Sequence, residues 1–128
     1  MDALGPFHPQ LVHAPIALLI FSAFFALIGR LMDRDWVRKA AMLLLVFGFL
    51  GAGAAVLTGQ ITHEIPEHDQ GVPEHAIDEH GDTGRIAFFA AGGALLCYGI
   101  AAAASGGAAS LLGTLALLLQ LVAAVAVG

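Results

Sequence analysis

Four apolar runs, each about as long as a bilayer is thick, constrain this chain more than any other feature. They lie at 9–31, 40–61, 84–104 and 108–127. Residues 9–31 (PQLVHAPIALLIFSAFFALIGRL) would reach roughly 34 Å as a helix, against a hydrocarbon core of about 30 Å. From Ile16 to Gly29 there is no charge at all. Of 128 residues, 59% are hydrophobic and only 12% charged, and a soluble domain of this size could not cover its surface with so few polar groups. Lipid is the expected solvent.

The charged residues fall between the runs. Arg30 to Lys39 (RLMDRDWVRK) contains Arg30, Arg34, Arg38 and Lys39, four of the five basic residues, with Trp36 as an interfacial anchor. The positive-inside rule puts this turn in the cytoplasm and the N-terminus outside, which in a bacterium means the periplasm. The N-terminus lacks a basic region ahead of its apolar run, so it reads as an anchor rather than a cleaved signal. The predicted fold is all-α: a single domain, 1–128, forming an up-down four-helix transmembrane bundle in the inner membrane. Both termini and a histidine- and acid-rich loop at 62–83 are then periplasmic. Pro9 suits a first helical position, and Pro15 lies near enough to that end for a kink to be tolerated. A short helix from Pro73 or Glu74 can run into the third span. Gln120, inside the fourth span, should face the bundle, because an unpaired amide in hydrocarbon costs several kcal/mol.

Residues 62–82 (THEIPEHDQGVPEHAIDEHGD) hold His63, His68, His75 and His80, four of the six histidines, and seven of the ten acids. A solvated loop needs polarity but not imidazole at this density. With His8 and His13 at the outer end of the first helix, the predicted topology gathers all six histidines on one side of the membrane. A histidine within a span usually faces a partner or a cavity. His13, His63 and His80 are expected to converge from three helices, and His68 and His75 to be solvated. Each of the three has a small residue one turn away (Ala17, Gly59 and Gly84), which would leave room for a flat macrocycle.

Two chemistries fit these residues. In the first, a haem b iron takes axial His13 and His80, with His63 or His8 as a substitute or supporting donor. No C-x-x-C-H is present, so covalent c-type attachment is excluded. In the second, His8, His13, His63 and His80 with Glu64 or Glu79 bind zinc, copper or iron directly. The zinc-protease motif H-E-x-x-H is missing, and no nucleophile–base pair points to a hydrolase. A third reading makes the chain a structural or assembly subunit whose histidines only cap helix ends. Cys97 stands alone, so no intrachain disulfide can form, and Cys97 and Tyr98 read as bundle packing. No basic patch suggests nucleic acid, and Gly/Ala faces favour a dimer.

Three segments also resemble a known family. F-H-P-Q-L-V-H-A-P-I-A-L-L at 7–19, T-G-Q-I-T-H-E at 58–64 and E-H-G-D-T-G at 79–84 are similar to the signatures of domain of unknown function 2231, a family of small bacterial membrane proteins. The resemblance implies four membrane helices. Some members are joined to Rieske or cytochrome domains, which implies respiratory electron transfer, here with a redox partner on another chain. The positions it carries over are His8, His13, His80 and Gly59. At the place of His63 many relatives have glycine or an acid.

Overall fold

The computed structural model describes residues 8–62 and 74–127, with side chains described over 12–58 and 81–127. Four helices account for nearly all of these: α1 (His8–Leu31), α2 (Asp35–Thr62), α3 (Glu74–Ala103) and α4 (Gly106–Val127). Among the described residues there is no strand. All four helices are long and apolar enough to cross a membrane. α1 packs on α2, α2 on α3, α3 on α4 and α4 on α1, so the helices stand in chain order around a square.

The interior is built from small side chains. Ala23, Ala26, Ala41, Ala52 and Ala116 are buried, as are Ala87, Ala90, Ala91 and Ala94 along α3. Leu19 and Leu45 are the large apolar side chains that are fully enclosed. The bulky residues point outward instead: Phe21, Leu43, Phe47, Phe89, Leu96 and Val125 are all more than half exposed. An exposed apolar surface this extensive is untenable in water but is the normal exterior of a bundle in lipid. Small residues inside let backbones approach, which is how helices associate where no hydrophobic force separates them from solvent.

Glycines mark the closest approaches. A Cβ on Gly48 would fall 2.8 Å from Leu19 Cδ2, and one on Gly51 would fall 3.0 Å from the Pro15 ring. α1 therefore runs on past Pro15, whose ring is buried against a residue with no side chain. Between α2 and α3 the fit is reciprocal: Phe88 lies over Gly53 and Phe49 over Gly92. The two rings stack between the helices, with centroids 4.7 Å apart and planes 11° from parallel.

Both ends of the helices differ in detail from the sequence expectation. α2 starts at Asp35 rather than at 40. Asp35 places an acid in its first turn, which favours the N-terminal dipole, and Val37 is already buried there. The α1–α2 connection is thus only Met32–Arg34, closed by Asp33 in the left-handed region at φ 51°. The turn expected at 105–110 shrinks to Ala104–Ser105, with Gly106 (φ 63°) opening α4. The short helix expected from Pro73 or Glu74 into the third span is present: α3 begins at Glu74, inside the stretch 62–83 otherwise read as a loop. Pro73 precedes that start in the sequence, and Glu74 and Asp78 follow it, a composition that favours a helix N-terminus.

These lengths have a directional consequence. At 28 and 30 residues, α2 and α3 would run about 42 and 45 Å, well beyond a hydrocarbon core of about 30 Å. The short turns at 32–34 and 104–105 leave little excess at that end. The surplus projects at the opposite end, which carries the N-terminus of α1 and the approach to α3.

Candidate functional site

The histidine end can be placed by helical register and by level. The buried stripe of α1 runs through Pro15, Leu19, Ser22, Ala26 and Gly29. His13 is exposed and lies roughly 160° around the helix from that stripe. His8 stands seven residues before Pro15, two turns away, in register with the buried stripe. On α3 the buried stripe includes Ala87, Ala91 and Ala94, and His80 stands seven residues before Ala87, again in register.

Level follows from the contacts between helices. Pro15 meets Gly51, and Phe88 meets Gly53, so Pro15 is level with about residue 90 of α3. His8 is then level with about residue 83, roughly 4–5 Å along the axis from His80. His13 is level with about residue 88, roughly 12 Å from His80. Between them on the α3 stripe is Gly84, where an added Cβ would meet no atom within 4 Å among the described residues.

The side chains of His8, Glu79 and His80 lie outside the described residues, as do His63 and Glu64 entirely; the same holds for His68 and the His75 side chain. Among the described residues no three His, Cys, Asp or Glu side chains are grouped to hold a metal.

Midway along the bundle is a polar arrangement that sequence reasoning found only in part. Gln120 of α4 is buried, as expected, and it joins a directional hydrogen-bond chain through all four helices. Tyr98 Oη of α3 donates to Gln120 Oε1 at 3.0 Å. Gln120 Nε2 donates to Ser22 Oγ of α1, which in turn donates to the Ala41 carbonyl of α2 at 3.0 Å. Because the chain ends on a backbone carbonyl, it can fasten the helices but cannot relay a proton onward. Tyr98, read from sequence as packing, is a member of this chain. The available signal was its position four residues after Ala94 on the inward stripe of α3. Ser22 could have been found in the same way, three residues after Leu19.

Beside this chain is a cavity of about 430 Å³ that reaches the α1–α2 turn. Tyr98 and Gln120 line one part; Ala26, Met42 and Leu117 supply apolar wall; Arg30, Asp33 and Arg38 ring the turn end. Arg38 pairs with Asp33 and lies 3.7 Å from Asp35. Arg30 Nη2 donates to Thr114 Oγ1 at 2.7 Å, and among the described residues no carboxylate pairs with Arg30. A second, open groove lies outside α3 and α4, between Phe89, Ile86 and Leu119, with the Asp82–Arg85 ion pair (3.6 Å) at its edge. Its surface is mostly apolar and resembles the rest of the lipid-facing exterior.

Residues 4–128 match the family described as "Predicted membrane protein (DUF2231)". The chain belongs to that family. Its description agrees with the outward-facing phenylalanines and leucines of this DUF2231 protein and assigns it no reaction. No curated protein and no solved structure matches this DUF2231 chain.

Proposed function

We propose that the chain is a membrane-embedded b-type haem protein that passes electrons near one face of the bilayer, with His8 and His80 as its axial donors. The observation that carries this reading is their shared placement: both stand in register with inward stripes, on α1 and α3, at nearly one level. α1 and α3 occupy opposite corners of the square, so donors on them would face each other across the bundle axis. Gly84 supports the fit, since a side chain there would project into the space a macrocycle needs. Ala87 and Ala91 form a buried apolar floor below it, which would exclude water from the inner edge of the ring.

Register favours His8 over His13 as the donor from α1. An imidazole roughly 160° from the inward stripe points away from the axis, and a roughly 12 Å offset is too large for one iron to bridge. His63 remains a supporting donor. In this reading Glu64 or Glu79 would accept an imidazole N–H, which orients the ring and raises its basicity as a ligand. A haem held in this way supplies a one-electron couple, and its potential is set by the two imidazoles and the burial of the site.

In this reading the basic turn at 30–39 is cytoplasmic, and the histidine end with both termini is periplasmic, in the inner membrane. The overhanging ends of α2 and α3 then carry the acidic segment to a redox partner or to a second copy of the chain. The test is an absorption spectrum of the detergent-purified protein, produced with haem supplied, before and after dithionite. A Soret band that shifts on reduction, with sharp α and β bands, is the expected result. A colourless protein would remove the haem reading, and zinc, copper or iron found in it by elemental analysis would replace haem with direct metal binding.

A further inference from the structure

The cavity at the turn end is independent of the haem reading: Arg30 lies 22 residues from His8 on α1, about 33 Å along the axis. Its volume of about 430 Å³ is within the usual range for small-molecule sites. The polar groups that line it are mostly donors. Arg30 uses one of its five N–H groups on Thr114, and its charge has no carboxylate partner among the described residues. Gln120 Nε2 gives one N–H to Ser22 and has a second to offer. Tyr98 Oη retains its lone pairs after donating to Gln120. Asp33 and Arg38 cancel each other at the rim, so the unbalanced charge is the single positive charge of Arg30.

A ligand that fits must therefore present acceptor oxygens and negative charge. The opposite wall of Ala26, Met42 and Leu117 asks for an apolar portion as well. We propose that Arg30, with the second N–H of Gln120 deeper in the cavity, forms an oxyanion site for a phosphate group, and that an anionic phospholipid headgroup supplies it. Arg30 is in the last turn of α1, at the depth where headgroup phosphates meet a bundle of this length. Guanidinium suits this role because its planar donors match two phosphate oxygens at once.

The site is tested by native mass spectrometry of the full chain released from mild detergent with phosphatidylglycerol. In parallel, inorganic phosphate is titrated calorimetrically into delipidated protein. The variants are Arg30→Gln and Gly113→Leu, each checked for helical content by circular dichroism. A Cβ at Gly113 would meet Arg30 Nη1 at an ordinary 3.8 Å, so Gly113→Leu grows into the cavity beside Arg30 and serves if Arg30→Gln fails to fold. Lipid retained by the wild type should fall at least about tenfold in both variants. Phosphate binding that depends on Arg30, without retained lipid, would assign the site to a soluble phosphate. Equal retention in the folded variants, or no binding of either probe to the wild type, would overturn the proposal.

Discussion

At the scale of residues, Gln120, Ser22 and Tyr98 show how three polar side chains and one carbonyl link all four helices of an otherwise apolar interior. The chain has a direction, and that makes its members unequal. Replacing Ser22 by alanine leaves Gln120 Nε2 without an acceptor at a site only 1% exposed. Gln120→Met removes the amide altogether, while Ser22 still donates to Ala41 and Tyr98 still borders a cavity. A buried unsatisfied donor costs about 1–3 kcal/mol, whereas interhelical hydrogen bonds in bilayers average only about 0.6 kcal/mol. Ser22→Ala should therefore destabilise by about 1–2 kcal/mol and Gln120→Met by less, measured by reversible unfolding in mixed micelles. The reverse order would mean that the direction of the chain is wrong. Glycine offers a similar contrast. Gly48→Ala would press on Leu19 and should cost about 1–3 kcal/mol, while Gly99→Ala meets nothing within 4 Å among the described residues and should be neutral or slightly stabilising. Gln120 was legible in the sequence because an amide in a run of leucines has one sensible place to go. Ser22 and Tyr98 were less so, since each can be satisfied locally and only their helix faces gave them away.

At the scale of elements, the four spans were readable from their apolar length, and their ends were not. Hydropathy sees the lipid-facing segment of a helix, but α2 and α3 continue beyond it in charge-rich stretches: Asp35 to Lys39 at the start of α2 and Glu74 to Asp82 at the start of α3. What terminates them is local geometry, as in the three-residue turn closed by Asp33 at φ 51°. Left-handed backbone costs a residue with a side chain about 1–2 kcal/mol, and the exposed Asp33–Arg38 pair returns only about 0–1 kcal/mol. Asp33→Gly should accordingly be near neutral, and Asp33→Val should lose about 2 kcal/mol in the same unfolding assay. Equal losses from both would place the role of Asp33 in its charge rather than its backbone. Register belongs to this scale too. The expectation that His13 and His80 face each other treated depth as sufficient. Helical phase sets His13 roughly 160° from the inward stripe of α1, and on the proposed reading His8 takes its place as donor, a distinction that needs the buried face to be known.

At the scale of the whole molecule, composition dictated the outcome most directly: with so few charges and so many leucines and phenylalanines, the bulky residues had to face lipid and the alanines the interior. The sidedness of that bundle rests on Arg30, Arg34, Arg38 and Lys39 in one short stretch. On a Cys97→Ser background, an impermeant maleimide applied to spheroplasts should label an Asp82→Cys variant and spare a Met32→Cys variant. The opposite pattern would invert the protein in the membrane. On the two proposals made above, the ends of the bundle have separate tasks, a cofactor near one face and a phosphate at Arg30 near the other, with His8 and Arg30 about 33 Å apart along α1. The most direct measurement of the first is the reduced-minus-oxidised spectrum of the wild type beside the His8→Ala, His13→Ala and His80→Ala variants. A six-coordinate b-type spectrum should be lost in His8→Ala and His80→Ala and kept in His13→Ala. A spectrum that survives both of the first two changes, or no spectrum at all from wild-type protein made with haem supplied, would contradict the assignment.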